Sequence, residues 1–450
     1  MQRRRETPKK RCRLPRGRMS SHSWTRVENR RYVAPFPVSV IRYLLSAFSN
    51  RCLTLRLADV VEKSVTPTFW QCPKCKTPNP WASYLTHCVS CGGPRPAKAA
   101  AVAFDPKHQD APAPVQPPRS ARALNVASWG YLALVLIVLA MVKLLGERWW
   151  PATILMFAPR WAFLFPIPFL VAWAFLRKRW RPMAAQAIAL VVVLVPLMGL
   201  RTPIGSLFAP SPGGERVRVL SLNRGTDELD SKAFTRLVAD GKYDLVCIQE
   251  FRADPILDTY FTTTGWHRNR NGSIWSRFPI VEDLGSLPTD EFEFAGAWPV
   301  RLSMVRVRLK NGRDVVVANA HMPTMTSAFQ RLAKGDLGWF RYYVDWRSRQ
   351  TDRLIDVLRR AGDLPVIVAG DFNMPPDSPF MRKIRATFAS GFEAAGWGYG
   401  YTRPSNLSWA GIDRVLASLD CQFISSRVGP LVGSDHRPID AELAVPSAGP

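Results

Sequence analysis

Apolar residues fall along this chain in two rhythms. Between residues 124 and 202 they come as long runs almost free of charge: Val126 to Leu145, broken only by Lys143, then Trp161 to Leu176, then Met183 to Leu200. The second run carries Pro166 and Pro168 and draws in part of Ala152 to Ala158. Each is close to the ~20 residues needed to cross the hydrocarbon of a bilayer, and buried helices of soluble proteins seldom come as three such runs. The pattern predicts three transmembrane helices over 124–202. Arg160, beside the second, is tolerable if it snorkels to an interface or caps a re-entrant turn.

From Arg216 onward the runs shorten to strand length. Val217–Asn223, Asp244–Glu250, Gly272–Arg277, Arg301–Leu309, Asp314–Met322, Val366–Asn373 and Ile412–Ala417 read as strands, and Ser231–Asp240 and Val344–Arg360 as helices. One event recurs: an apolar strand stops at a polar, reactive residue. It does so at Asn223, Glu250, His321, Asp371 with Asn373, and Asp413, and the motif GSDHRP (Gly433–Pro438) follows the last of these strands. In VIVAGDFN, Asp371 and Asn373 stand two residues apart on an extended chain, so their side chains point the same way.

The front of the chain lacks either rhythm. Residues 1–65 form a basic leader with little periodicity, and residues 97–123, rich in Ala and Pro, read as a linker. Between them, residues 66–96 hold Cys72, Cys75, Cys88 and Cys91 in a C-x2-C-x12-C-x2-C arrangement. That is metal-ligand spacing, and four thiolates close a tetrahedral structural Zn2+ site with no open position. Cys247, inside an apolar strand, reads as a buried free thiol.

Charge sharpens this division. The net charge is +26, yet residues 1–125 hold 23 Lys+Arg against 6 Asp+Glu, residues 126–214 hold 8 against 1, and residues 215–450 hold 30 against 28. The C-terminal domain is therefore near neutral, which speaks against a surface built to grip a long polyanion. Arg177, Lys178, Arg179 and Arg181 crowd the joint between the second and third runs. By the positive-inside rule the N-terminus and this joint face the cytoplasm, and three crossings put everything after Leu200 outside the cell membrane. A cytoplasmic four-thiolate site agrees, since reduced thiolates belong on the reducing side. No N-terminal signal peptide is evident, so the first span is expected to act as its own signal.

Collected, the strand-end residues are those that metal-assisted phosphoester hydrolysis requires. Carboxylate and amide oxygens bind a hard divalent cation; a second carboxylate and a histidine manage the proton of an attacking water; another histidine steadies developing charge. Only three histidines lie beyond residue 215, and two of them, His321 and His436, sit in these motifs; His267 reads as surface.

The ordered set LSLN, IQE, GSIWSR, NAHM, GDFN, IDRV and GSDHRP resembles the endonuclease/exonuclease/phosphatase superfamily over about 230 residues. The resemblance implies a four-layer α/β sandwich of the DNase I type over residues 215–445, with the site at one end. It further implies that Asn223 and Glu250, assisted by Asp435, bind Mg2+ or Mn2+. Asp371 and Asn373 then orient the water and phosphoryl oxygens. His436, held by Asp413, is the implied base, with Asp371 the alternative, and His321 stabilises the transition state or protonates the leaving oxygen. Gly225 stands where several nuclease members carry a second metal-binding Asp, and Trp275 where a Tyr would be expected. DFNMPPDSPF and the three preceding spans resemble the membrane-anchored bacterial branch, which includes the teicoplanin-resistance type with lipid-pyrophosphate phosphatase activity. Residues 66–96, with Trp70, Asn79 and the ending C-x-x-C-G-x-P-R, resemble the RanBP2-type zinc finger, whose members bind single-stranded RNA or protein partners.

These features lead to the expectation of a phosphohydrolase anchored in the lipid bilayer and acting on a lipid-linked phosphate. Trp339, Phe340, Tyr342, Tyr343 and Trp346, with Arg341 and Arg347, form either an interfacial surface or the buried face of a helix start. An extracytoplasmic nuclease is the alternative enzyme. A zinc finger that senses RNA or protein and is coupled to the outer domain is a third reading.

Overall fold

Strands form where β-branched runs are covered on both faces, and the computed structural model has twelve of them in two stacked sheets. It describes residues 68–76, 78–80, 87, 88, 90–96, 102, 103, 119–204, 212–225, 229–287 and 299–447; the leader 1–65 and most of the linker 97–123 lie outside these. The chain divides into two units, Met1–Val115 and Gln116–Pro450.

In the first unit, strands β1 (Thr68–Gln71), β2 (Pro78–Pro80) and β3 (Val102–Ala103) pair antiparallel in the order β2-β1-β3. Trp70 is buried against Cys72 and Cys88.

The second unit opens with α1 (Arg119–Ala140), which a π-helical turn extends to Leu145. There follow α2 (Trp150–Phe157), α3 (Pro166–Leu176), preceded by a 3-10 turn from Arg160, and α4 (Trp180–Val192). Two helices among the described residues are long and apolar enough to cross a membrane, Ser120–Arg148 and Trp180–Leu197. The expected middle span is not one straight helix. Trp150–Phe157 and Arg160–Leu176 meet at 86°, because Pro159 cannot continue the preceding helix. Arg160 donates to the carbonyl of Met156 at 3.0 Å, so the side chain takes up a carbonyl that the break leaves open. Val126, Leu136, Phe169, Phe175 and Val191 stand exposed on these helices.

The remainder is a four-layer α/β sandwich. One sheet runs β12-β13-β11-β10-β9-β8, from Phe388–Ser390 through Asp413–Ser418, Val366–Asp371, Asp314–His321 and Arg301–Arg308 to Ile280–Ser286. The other runs β14-β15-β4-β5-β7-β6, from Gln422–Val428 through Ile439–Val445, Glu215–Asn223, Leu245–Gln249 and Ile274–Ser276 to His267–Arg268. Val217, Val219 and Cys247 of the second sheet pack on Val305, Val317 and Ile367 of the first. On the outer faces, Leu222, Ile248 and Trp275 meet Phe234 of α5 (Ser231–Gly241) and Phe261 of α6 (Pro255–Thr263). Helices α7 (Thr326–Ala333), α8 (Leu337–Arg359) and α9 (Pro379–Arg385) cover the first sheet. Coverage on both faces is why the central strands read as continuous apolar runs.

Two expectations need correction, and one choice between alternatives is decided. The helix expected from Val344 starts at Leu337, because Asp336 accepts the backbone N–H of Trp339 at 3.0 Å and caps it earlier. Phe340, Tyr343, Trp346 and Arg347 are core, leaving Tyr342 and Arg341 on the surface. GSDHRP is also not past the last strand, since β15 (Ile439–Val445) follows it and pairs with β4.

Candidate active site

Strand register gathers the predicted residues at one edge. In the first sheet His321 lies opposite Asp371, and Asp371 opposite Asp413. In the second, Asn223 lies opposite Gln249, so Glu250 leaves its strand beside Asn223. Asn319, two residues before His321, ties the sheets together by donating to the carbonyls of Ile248 (2.9 Å) and Ser273 (3.0 Å) and accepting from Gln249 (2.7 Å).

Asp371 is the centre of this edge and is buried. Its Oδ2 accepts from Asn223 Nδ2 at 3.0 Å and Asn373 Nδ2 at 3.1 Å, and lies 3.8 Å from both His321 Nε2 and His436 Nε2. Its Oδ1 accepts from the backbone N–H of Asn373 at 2.7 Å. Asn223 Nδ2 also reaches Glu250 Oε1 at 3.3 Å, and His321 Nε2 stands 3.8 Å from that oxygen. His436 Nδ1 lies 2.9 Å from Asp413 Oδ2, both side chains being 1% exposed. Ser434 fixes this corner, donating to the carbonyl of Asn223 at 2.7 Å and accepting from the backbone N–H of His436 at 2.9 Å.

Glu250 and Asn373 hold positive φ, 52° and 50°. Strained conformations in non-glycine residues cost on the order of 1–3 kcal/mol each and tend to persist at functional sites. Gly225 has φ 66°, and a Cβ there would lie 1.8 Å from Asp435 Oδ1. A side chain at position 225 would have to hold this positive φ and displace the Asp435 carboxylate, so the position favours glycine.

Burial, then the nearby Asp413, raises the Asp371 carboxyl above its ordinary range. For His436 burial disfavours the charged ring, but Asp413 and Asp371 outweigh it and push the imidazole up to about 9.

A cleft of about 360 Å³ opens over Glu250, His321, Asp371 and Asn373, with Arg301 and Arg403 in its wall. Asp435 pairs with Arg403 at 2.9 Å, while its Oδ1 is buried without a hydrogen-bond partner. Asp413 Oδ1 is likewise unpartnered. Oxygens from Glu250, Asp371 and Asp435 are a donor set suited to a hard divalent cation, and the orphaned Asp435 oxygen fits one; Asn223 joins them by turning its amide, since its Oδ1 here accepts from the backbone N–H of Gly225 at 2.9 Å. The tightest group, however, is Asp371, Asp413 and His436, with ligand atoms all within 4.8 Å of one another. Arg301, Arg403, Ser434 and Asn319 were not singled out by sequence; only Asn319, inside NAHM, and Ser434, inside GSDHRP, carry a local signal.

The segment between His321 and GDFN, the loop after Asp371 and the GSDHRP turn therefore enclose a hydrolytic constellation. Residues 217–436 match the model of the Endonuclease/Exonuclease/phosphatase family. The match spans 220 of the chain's 450 residues, and the family is one of phosphoester hydrolases. Similar solved structures include an endonuclease/exonuclease/phosphatase family protein from Bacteroides thetaiotaomicron (17% identical, covering 52% of this chain and 98% of that one, TM-score 0.42). Others are the mannosyl-6-phosphatase of Bacteroides thetaiotaomicron VPI-5482 (16%, 51% and 100%, TM-score 0.38) and the human Nocturnin catalytic domain with bound sulfate (17%, 51% and 94%, TM-score 0.38). No curated protein matches the chain.

Of the residues remaining, Trp275 is buried and stacks on Phe261 at 4.5 Å, away from the cleft, and His267 is exposed as expected. Cys247 is a buried thiol, and burial pushes its pKa up to about 12. In the first unit, Cys72, Cys75, Cys88 and Cys91 bring their sulfurs within 4.8 Å of one another. The Cys72–Cys91 and Cys75–Cys88 separations are 3.7 and 3.5 Å. Tetrahedral thiolates at about 2.3 Å from a central ion stand roughly 3.8 Å apart, so the cluster fits a four-sulfur metal site. Asn79, buried, donates to Cys88 Sγ at 3.4 Å.

Proposed function

We propose that the chain is a membrane-bound phosphohydrolase, dependent on Mg2+ or Mn2+, that cleaves a phosphoester or pyrophosphate carried on a lipid at the outer face of the membrane. The observation that carries this reading is the closeness of the cleft to the helical anchor. Helix α7 contributes Thr326, Ser327 and Gln330 to the cleft wall, and its Phe329 packs edge-on against Phe157 of α2 at 5.5 Å. A headgroup can reach such a cleft while its chains stay among the exposed apolar side chains of the anchor. The near-neutral charge of the domain also favours this over a nucleic-acid substrate.

Sidedness rests on where the apolar segments end. Lys143 and Arg160 both pair with Asp377 of the catalytic domain, and Arg160 donates to the carbonyl of Leu197 at 2.7 Å. One end of each segment thus converges on the domain, while the basic turn Arg177–Arg181 lies at the other. The positive-inside rule makes that turn cytoplasmic and the domain extracytoplasmic.

Asn223, Glu250 and Asp435 would hold the cation, with Asp371 close by. When bound, it supplies a Lewis acid for the phosphoryl oxygens and lowers the pKa of neighbouring groups, His436 among them. His436 takes the proton of the attacking water at Nε2, with Asp413 fixing the ring through Nδ1 and favouring the imidazolium that forms. Asp371 and Asn373 orient the water, and His321 faces the oxygen on which charge develops. Arg301 and Arg403 attract the anionic substrate into the cleft.

The test is the purified full chain in detergent with Mg2+, assayed for release of phosphate or headgroup from polyprenyl pyrophosphate and phospholipids beside His436→Ala. Turnover lost in the variant supports the reading; cleavage of DNA or RNA alone means an extracytoplasmic nuclease instead. For the first unit we propose a RanBP2-type zinc finger, its four cysteines binding Zn2+, that contacts RNA or a protein on the cytoplasmic side. The sulfur geometry supports the metal site, and pull-down with the full chain against a Cys88→Ser variant tests the partner.

A further inference from the structure

A second cavity, of about 210 Å³, lies between the ends of the apolar segments and the back of the catalytic loops. Four cations stand in its wall, Lys143, Arg160, Arg201 and Arg414, against two carboxylates, Asp377 and Glu393. Both carboxylates are already shared. Asp377 serves Lys143 and Arg160. Glu393 serves Arg414 at 2.9 Å and Arg385, just behind the wall, at 3.6 Å.

Arg201 is left exposed at the rim, within ion-pair distance of no carboxylate among the described residues. Arg414 is 3% exposed, yet its Nε has no hydrogen-bond partner. Burial, and then the fields of Arg414 and Arg201 working against that of Glu393, leave Arg385 below the ordinary arginine range. Positive charge is therefore in excess here, partly withdrawn from water, where an anion is worth most. The rest of the wall is amphipathic. Val195, Met198 and Leu200 come from the end of the anchor. Tyr399 and Tyr401 stack with ring centroids 5.4 Å apart, and Tyr401 donates to the carbonyl of Met198 at 2.7 Å. Such aromatics suit the boundary between hydrocarbon and headgroup.

We propose that this seam cavity binds a phosphate anion, presented by a lipid headgroup or free in solution, at a site separate from the catalytic cleft. Its walls include Pro375–Asp377, which follow Asn373, and Tyr399–Tyr401 with Trp409–Gly411, the two ends of a loop that carries Arg403 into the catalytic cleft and stops two residues before Asp413. An anion seated there braces two loops that also line the active site. Binding needs no turnover, so the measurement stands whether or not the cleft hydrolyses the substrate proposed above.

The full chain in detergent, in buffer without divalent cations, is titrated with short-chain phosphatidylglycerol and, separately, with inorganic phosphate. Calorimetric heat and tryptophan emission are read, Trp409 being part of the wall. Saturable binding is expected, weakened about tenfold or more in Arg201→Glu, which corresponds to about 1.4 kcal/mol. The substitution leaves intact the backbone hydrogen bonds of residue 201 with Gly398, at 2.7 and 2.9 Å. His321→Ala, in the catalytic cleft, keeps the wild-type affinity. Binding of the lipid alone identifies a headgroup site; binding of inorganic phosphate with the same dependence on Arg201 identifies a free-anion site. Binding of neither, or equal binding by Arg201→Glu and the wild-type chain, overturns the proposal.

Discussion

Arg347 donates through Nη2 to the backbone carbonyl of Asn373 at 2.9 Å, and its Nη1 lies 3.2 Å from Glu147 Oε2. Both charged side chains are fully buried. The end of the first apolar helix is thereby joined, through α8, to the positive-φ residue beside Asp371. Removing one partner of a buried pair costs about 3–5 kcal/mol, whereas replacing both with uncharged groups is often close to neutral. Arg347→Met should therefore destabilise strongly, and Arg347→Met combined with Glu147→Gln should recover most of the loss. Denaturant unfolding of the full chain in detergent measures both; additive losses would mean that the two residues are not coupled.

Asp413 acts only through His436, which makes it a positioning residue with its own signature. Asp413→Asn removes the strongest influence raising the imidazole, so His436 should titrate well below about 9 and nearer its ordinary 6.5. General acid–base catalysis contributes ~10²–10⁴-fold, so kcat should fall by about 10²-fold or more with KM little changed. Imidazole NMR titration beside steady-state kinetics separates this from a folding defect, which would leave the His436 signal broadened or lost.

How legible this was in the sequence depended on how far apart the cooperating residues lie. VIVAGDFN could be read because a strand buried on both faces cannot hide a carboxylate at its end, and register then carried Asp371 to His321 and Asp413. Arg347 and Glu147 could not be paired, being 200 residues apart with nothing in either segment naming the other. Arg160 looked misplaced in an apolar run because its counter-ion, Asp377, belongs to the loop after GDFN. The strand Ile439–Val445 was missed because Asp440 and Glu442 interrupt its apolar run. Asp440 is buried all the same, accepting from Tyr243 at 2.9 Å.

Gly225 offers a test of Asp435 as a metal ligand. A Cβ at this position meets Asp435 Oδ1 while the backbone holds φ 66°. Gly225→Ala should cost about 1 kcal/mol or more through the conformation alone. By displacing Asp435 it should also weaken Mn2+ binding, read by calorimetry on the metal-stripped chain. Unchanged Mn2+ affinity would remove Asp435 from the ligand set.

The four cysteines predict a metal that chelation removes. Structural zinc binding is coupled to folding, so the purified chain should carry zinc, measured by atomic emission, and lose it in Cys88→Ser. Protease cleavage should then appear between residues 68 and 96. A chain that is free of zinc and still protected in this region would show that the sulfur cluster needs no ion.

Glu393 makes the acid stability of the seam predictable. Burial alone would raise its carboxyl, but Arg414, the Ser390 hydroxyl, Arg385 and Arg201 together hold it below its ordinary 4.5. A depressed carboxylate stabilises the fold above its unfolded pKa, and that contribution is lost as pH falls through the lower folded value. The full chain should therefore keep this contribution down to about pH 4.5 and lose it progressively below. Glu393→Gln removes the charge at every pH and leaves Arg414 and Arg385 without their shared carboxylate. It should cost about 3 kcal/mol near neutrality, the lower end for breaking a buried pair. Its stability should also fall less steeply than that of the wild-type chain below pH 4.5. Parallel pH–stability curves for the two proteins would show that Glu393 is not the group that titrates.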